Sequence, residues 1–228
     1  MLFAGKTHIN EIFNCIMLII LYDCRNLFGI MRYEKGHKEN TRRRIIETAA
    51  TRFRRDGIDN VGVADLMTDA GLTHGGFYSH FRSKEDLVKA AIEEAGGNSL
   101  QRLQTRIKEG GVEAWIRFYL SAKHRDHPEA GCPAAALGPE ISRHPKASRS
   151  AFTESVEKIV ALVAKHLPDD RPQPQKRKTA TTLFAFMIGT VQIARAVSNP
   201  AFSDQILEAG VDAALSIAGI KGHETHHS

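Results

Sequence analysis

The chain has 228 residues, of which 42% are hydrophobic and 25% charged, with a formal net charge of +5. This composition is ordinary for one large or two small globular domains and gives no sign of a disordered chain. Three cysteines without CxxC spacing, Cys15, Cys24 and Cys132, argue against a disulfide framework and for a reducing compartment, so we expect a cytoplasmic protein. The excess positive charge is concentrated between Arg32 and Arg55, which permits an anionic partner.

The first thirty residues differ from the rest. An apolar run from Ile12 to Tyr22 is too short to span a bilayer as a helix. It follows Lys6, as in a secretory signal, but no small-residue cleavage site comes after it. We interpret residues 1–30 as an extension without a role and Met31 as the real start. A signal peptide and a membrane anchor are the alternatives, and we expect no membrane partner.

The first predicted helix runs from about Thr41 to Asp56. Ile45, Ala49 and Phe53 repeat at helical spacing. Gly57 should end this helix. Arg54 and Arg55 then lie in its last turn, where cations suit the negative end of the helix dipole.

Two short helices follow, separated by a glycine turn. Gly62 can cap the first of them and Gly71 can end it with a positive φ. Thr73 is placed as the N-cap of the second, which carries Phe77 and Phe81 on one face. Short helices joined in this way predict a compact unit.

A fourth helix should open at Ser83 with a capping-box pattern completed by Asp86 and should end near Gly96 and Gly97. The remaining patterns are also helical, with no alternating run typical of a strand. The fold class is therefore all-α. Helices are predicted around residues 100–109, 112–123, 133–143, 150–167, 175–197 and 201–218, with breaks at glycine and proline positions that include Gly110-Gly111.

The stretch from Ala70 to Leu87 reads AGLTHGGFYSHFRSKEDL. With the basic helix before it, this stretch resembles the tetracycline-repressor (TetR) family. The resemblance implies a helix-turn-helix between Gly62 and Phe81 within a DNA-binding domain at 38–98. It also implies a helical ligand-binding and dimerisation domain at 99–220, before a flexible tail at 221–228.

The same resemblance implies roles in DNA binding. Thr73, Tyr78, His80 and Lys84 would contact phosphates, while His74, Gly75 and Gly76 would face base edges. Hydroxyls, a lysine and free amides at a helix N-terminus are suitable phosphate donors. Two glycines in the first turn indicate either close approach of another surface or a relaxed tight turn. The predicted DNA-binding residues are Arg42, Arg43, Gly62, Thr73, His74, Gly75, Gly76, Tyr78, His80 and Lys84.

Two positions depart from the family pattern. Gly62 stands where Ser or Thr commonly caps the second helix, and Ala64 stands where a polar or basic residue often reaches DNA. Base contacts from that helix are therefore not predicted, and neither is the operator sequence.

In the C-terminal part, the resemblance implies that the last two helices pair with their twins in a homodimer. Their wide apolar stripes are typical either of such an interface or of an internal core. The predicted interface residues are Leu183, Met187, Val191, Ile206, Val211 and Leu215. The candidate walls of a pocket for a small effector are Trp115, Phe118, Tyr119, Cys132, Phe152 and Phe184, although aromatic residues at helical spacing also suit a plain core.

The function predicted from these features is a ligand-responsive repressor of double-stranded operator DNA, without cofactor or metal. An activator of the same family is the nearest alternative. An enzyme is the alternative from another class, and it would use either Cys132 as a reactive thiolate or a cluster of His124, His127 and His144. A buried, inert thiol is the other interpretation of Cys132, and no complete nucleophile, base and orienting group is legible.

Overall fold

The computed structural model describes residues 36–168, 170 and 172–221. Every regular element in these ranges is helical, which confirms the all-α prediction. The predictions on residues 1–30 and on the tail beyond Lys221 lie outside the described residues. The helices are α1 (36–56), α2 (Val63–Asp69), α3 (Lys84–Tyr119), α4 (Ala122–Asp126), α5 (Pro133–Ile141), α6 (Lys146–His166), α7 (Gln173–Ala196) and α8 (Pro200–Ala218), and short 3-10 helices cover His74–Ser79 and Pro128–Ala130.

The chain divides into two units, residues 1–44 and 45–228. In the first unit the described residues 36–44 are helical, and Arg42 and Arg43 are exposed. The second unit contains two clusters of buried apolar side chains. The division predicted between residues 98 and 99 would fall inside α3, and it stays a prediction.

The first apolar cluster gathers α2, the His74–Ser79 segment and the start of α3 around α1. The predicted stripe of Ile45, Ala49 and Phe53 is buried, with at most 1% of each side chain exposed. Gly57 ends α1 as predicted, because its positive φ of 86° turns the chain while its N–H donates to Phe53 O at 2.9 Å. Leu137 and Ile141 of α5 close the same cluster.

The predicted helix end at Gly96 and Gly97 is wrong, because α3 runs through both glycines. Gly96 is buried against α6. A Cβ atom at this position would lie 2.7 Å from Ser155 Cβ, closer than two carbons can pack. The glycine therefore lets α3 and α6 approach each other. The predicted break at Gly110-Gly111 is confirmed as a kink, where Gly111 has a φ of 70°.

The second apolar cluster fills the space between α3, α6, α7 and α8, which pack in that order. Trp115, Ile116, Val163 and Phe184 are among its members, all less than 5% exposed. Within the described residues, no helix combines the length and the apolarity needed to cross a membrane.

Candidate nucleic-acid interface and internal cavity

A tight turn between α2 and the 3-10 helix His74–Ser79, hereafter the recognition segment, positions the predicted DNA-contacting residues. The turn is a Schellman motif: Leu72 N–H donates to Met67 O at 2.8 Å and Gly71 N–H donates to Thr68 O at 2.9 Å. Gly71 has a φ of 67°, as predicted, a conformation that glycine adopts without strain.

Two phenylalanines hold the recognition segment to the rest of the molecule. Phe77 and Phe81 are 1% and 2% exposed, and their rings stack with centroids 5.6 Å apart. The segment is a 3-10 helix rather than the predicted α-helix, with Gly76 N–H donating to Thr73 O at 3.0 Å. Two successive glycines disfavour an α-helical first turn, which accounts for the difference.

The opposite face of the recognition segment is open. Thr73, His74, Gly75 and Tyr78 are exposed, and the Tyr78 side chain is the most exposed large apolar group described, at 68%. Neither Gly75 nor Gly76 has a positive φ. A Cβ atom at Gly75 would meet nothing within 4 Å, so nothing in the described fold requires a glycine there.

The other predicted DNA-contacting residues are placed differently. Gly62 is the exposed N-cap of α2, and His80 is half-buried after the recognition segment. Lys84 is half-buried in the first turn of α3, where its ammonium donates to Ile58 O at 2.6 Å. Lys84 therefore also braces the loop after α1, a structural role that the sequence did not indicate.

The structure brings five of the six predicted pocket residues together. Trp115, Phe118, Tyr119, Cys132 and Phe184 line one internal cavity, whereas Phe152 is not among its walls. Five residues that were not predicted as pocket walls complete the lining: Ser99, Arg102, Leu103, His124 and Ile159. Arg102 and His124 carried no local signal for a pocket, because the kinked α3 and the segment before α5 bring them to the cavity from distant parts of the chain.

His124 has a defined tautomer. Its Nδ1 lies 2.7 Å from Tyr119 O, which can only accept, so Nδ1 carries the proton. Nε2 accepts from Cys132 N–H at 3.1 Å. Burial lowers the pKa of His124 to about 4, and the positive charges of Arg195 and Arg102 act in the same direction. The imidazole is therefore neutral at physiological pH.

Cys132 is 3% exposed and is the N-cap of α5. The three histidines of the enzyme alternative do not form a cluster. His127 faces Glu129, with 3.1 Å between Nδ1 and Oε1, and His144 faces Glu85, with 3.0 Å between Nδ1 and Oε2, while His124 is bonded as above. Among the described residues, no three metal-ligating side chains come together.

Three polar links connect the helix-turn-helix part of the second unit to the helices that follow it. Arg54 lies in the last turn of α1 as predicted, and its guanidinium donates to Glu129 O. The Glu140 carboxylate accepts from Ile58 N–H at 2.7 Å. Glu85 at the start of α3 accepts from Ser148 of α6 and faces His144.

The predicted dimer residues divide into two groups. Leu183, Met187 and Val191 have no exposed surface and Leu215 has 3%, because all four lie in the chain's own second core. The protomer therefore leaves these four side chains little or no surface for a partner, and their part in a dimer interface stays a prediction. Ile206 and Val211 are half-buried at the edge of the same core.

Comparison with known proteins gives consistent results. The family model of bacterial regulatory proteins of the tetR family matches residues 45–91. The uncharacterised helix-turn-helix regulator YfiR of Bacillus subtilis is 31% identical over 86 residues, 38% of this chain and 42% of that protein. The repressor NemR of Escherichia coli is 24% identical over 143 residues, 60% of this chain and 72% of NemR.

Two solved structures share the fold. The crystal structure of reduced E. coli NemR aligns with a TM-score of 0.66 at 21% identity, covering 82% of this chain and 99% of that one. A TetR-family regulator from Cytophaga hutchinsonii aligns with a TM-score of 0.65 at 26% identity, covering 82% of this chain and 98% of its own. Together with the turn and recognition segment, these matches define a helix-turn-helix transcriptional regulator. The family-model match at residues 45–91, the similar regulators and the solved structures together indicate a TetR-family transcriptional regulator, as the resemblance predicted.

Proposed function

We propose that the chain is a repressor that binds double-stranded operator DNA as a homodimer through the recognition segment and leaves the DNA when a small molecule enters the cavity. The open face of the recognition segment carries this proposal. Gly75 on this face is required neither by the backbone conformation nor by a neighbouring side chain, and the polar groups of Thr73, His74 and Tyr78 face solvent.

The open face suits a DNA surface in two ways. The hydroxyls of Thr73 and Tyr78 can donate to phosphates, which position a protein on the duplex. His74, at the first position of the segment, can reach base edges in the major groove, which specify sequence. Gly75 leaves room for the DNA to approach the backbone closely.

A side-chain-to-main-chain hydrogen bond links the cavity region to α1, which shares an apolar cluster with the recognition segment. Arg54 of α1 bonds to Glu129 O, and Glu129 lies three residues before the cavity residue Cys132. The cavity itself has a volume of only about 20 Å³, room for roughly one water molecule. An effector must therefore widen it. Displacement of the 129–132 backbone would move the acceptor of Arg54, and the effector would favour the released state to the extent that it binds that state better.

The dimer proposal rests on exposed apolar groups of the last two helices. Ile193 of α7 is 56% exposed and Phe202 of α8 is 51% exposed, whereas the apolar residues on the inner faces of both helices are buried. A two-fold dimer would place two recognition segments on two half-sites of an operator.

A selection from random duplexes, followed by fluorescence anisotropy on the selected and scrambled sequences, tests the proposal. The wild-type chain should prefer the selected duplex by a factor of at least about 10³. His74→Ala should relax selectivity at particular base pairs at a cost of about 1 kcal/mol. Thr153→Ala, exposed on α6, is the matched control and should bind as the wild type does. Equal binding of selected and scrambled duplexes would contradict the proposal.

A further inference from the structure

Three arginines lie around the 124–131 segment without a carboxylate partner. Arg54 is 8% exposed, and Arg102 and Arg195 are half-buried. In the described part of the chain, their guanidinium groups bond to main-chain carbonyls and form no ion pair. The acceptors are Glu129 O for Arg54, Gly131 O for Arg102, and His124 O and Arg125 O for Arg195.

This arrangement is electrostatically unfavourable in the absence of an anion. Carbonyl oxygens satisfy hydrogen bonds but do not neutralise charge, and buried charges are ordinarily paired. Burial and the nearby charge of Arg102 together lower the pKa of Arg54 to about 10, although Glu129 and Glu94 act in the opposite direction. Burial likewise lowers the pKa of Arg102 and of Arg195. A negative charge placed here would relieve the repulsion.

Two side chains with hydrogen-bond donors line the cavity in this region. Arg102 donates through Nη2 to Ser99 Oγ and Gly131 O. The Tyr119 hydroxyl lines the same cavity, is buried and has no hydrogen-bond partner of acceptable geometry, with only the weakly accepting Cys132 thiol beside it. Burial raises the pKa of Tyr119 well above its usual range, so the hydroxyl stays protonated and can donate.

The imidazole of His124 offers the Tyr119 hydroxyl no acceptor. The two nitrogens of His124 are occupied by Tyr119 O and by Cys132 N–H. A buried hydroxyl without an acceptor is destabilising, so the site around Tyr119 is suited to an incoming acceptor.

The rest of the cavity wall is apolar and aromatic. The rings of Trp115 and Phe184 lie 6.1 Å apart, and the ring of Tyr119 lies 6.0 Å from that of Phe184. Phe118 is the half-buried member of this wall, with the Arg106 guanidinium 4.5 Å from its ring centroid. Movement of Phe118 would widen the cavity with less disturbance of the core than movement of Trp115 or Phe184, which are 4% and 2% exposed.

We propose that the effector is a small aromatic carboxylate, whose carboxylate group accepts from Arg102 and Tyr119 while its ring packs against Trp115 and Phe184. A guanidinium fork matches the planar carboxylate in a bidentate manner. This inference rests on the proposed function, in which this cavity binds the effector.

Benzoate and its neutral isostere benzamide are the probes for the first test. Trp115 is the only tryptophan of the chain and lies in the cavity wall, so its fluorescence reports binding there. Benzoate should change the emission saturably, with a Kd at least tenfold lower than that of benzamide. Equal affinity, tighter binding of benzamide, or no saturable change with benzoate would overturn the proposal.

Variants separate the anion site from general effects. Arg102→Gln should weaken benzoate binding at least tenfold. Arg117→Gln removes the same charge from the same helix, but Arg117 is exposed and paired with Glu113, so benzoate binding should stay within twofold. Tyr119→Phe should weaken benzoate several-fold without loss of thermal stability, because it removes a hydroxyl that has no partner. This variant keeps the test decisive if Arg102→Gln does not fold, and unchanged benzoate affinity in it would contradict the proposal.

Operator binding, measured on the same preparations without benzoate or benzamide, distinguishes a failure of the effector proposal from a failure of the DNA-binding proposal. Selective operator binding without benzoate binding would refute the effector class and leave the DNA-binding proposal intact. Benzoate binding without operator selectivity would refute the proposed function and leave the carboxylate site standing.

Discussion

The recognition segment and the cavity lined by Arg102 both carry hydrogen-bond donors, but one lies at the surface and the other in the interior. At the surface, water can satisfy the exposed hydroxyls of Thr73 and Tyr78, and no compensating protein contacts are required. In the interior, Arg54 and Arg102 depend on main-chain carbonyls and have lowered pKa values. The donors at the surface therefore need no acceptors from the protein, whereas the buried donors are surrounded by a network of long-range hydrogen bonds.

If burial distinguishes the cavity from the surface site, stability should depend on pH through His124 in the cavity wall, and this is the largest effect that we expect. The pKa of His124 is about 4 in the folded chain against 6.5 when solvated. Between these values the unfolded chain binds more protons, so the stabilisation is complete above pH 6.5 and is lost as the pH falls toward 4. The free energy of unfolding should fall by about 3 kcal/mol over that range through this group.

Urea unfolding of His124→Gln and His127→Gln between pH 7 and pH 4 checks this prediction. The difference in stability across the range should shrink in His124→Gln. It should persist in His127→Gln, because His127 is an exposed histidine of the same segment. An undiminished pH dependence in His124→Gln would show that the buried imidazole is not its source.

A smaller effect is expected from the turn that presents the recognition segment. Gly71→Ala places a Cβ atom in open space but keeps a φ of 67°, so the whole cost is backbone strain, about 1–2 kcal/mol. Gly71→Asn should recover part of that loss, because asparagine tolerates the left-handed conformation. Chemical denaturation measures both, and a neutral Gly71→Ala would mean that the turn relaxes to another conformation.

The surface site was predictable because its determinants are local. Gly71 ends α2, Phe77 and Phe81 share one face of the segment, and Ser83 caps α3 by accepting from Asp86 N–H. Each of these signals lies within a few residues of the element that it specifies. These signals predicted the short helices and the turn between them, and the resemblance to the TetR family then implied a helix-turn-helix.

The buried site was only partly predictable because its polar contacts join distant parts of the chain. Aromatic spacing indicated Trp115, Phe118 and Tyr119, but Arg54 reaches a carbonyl 75 residues away. Apolar stripes also do not reveal which surface covers them, so Met187 was expected at a dimer interface although α7 buries it in its own core. Gly96 was predicted to end a helix. Its actual role, close packing of α3 against Ser155, leaves no signal in the neighbouring sequence.

The role of the recognition segment is tested most directly by Gly75→Ala, with the unfolding free energy and the operator affinity measured on the same preparation. A Cβ atom at this position meets nothing within 4 Å in the protein alone. Alanine also suits a helical backbone better than glycine by up to about 1 kcal/mol. We therefore expect stability equal to or above that of the wild type, together with operator affinity at least tenfold lower. Unchanged operator affinity would contradict the account, because the open face of the segment would then not be where DNA approaches.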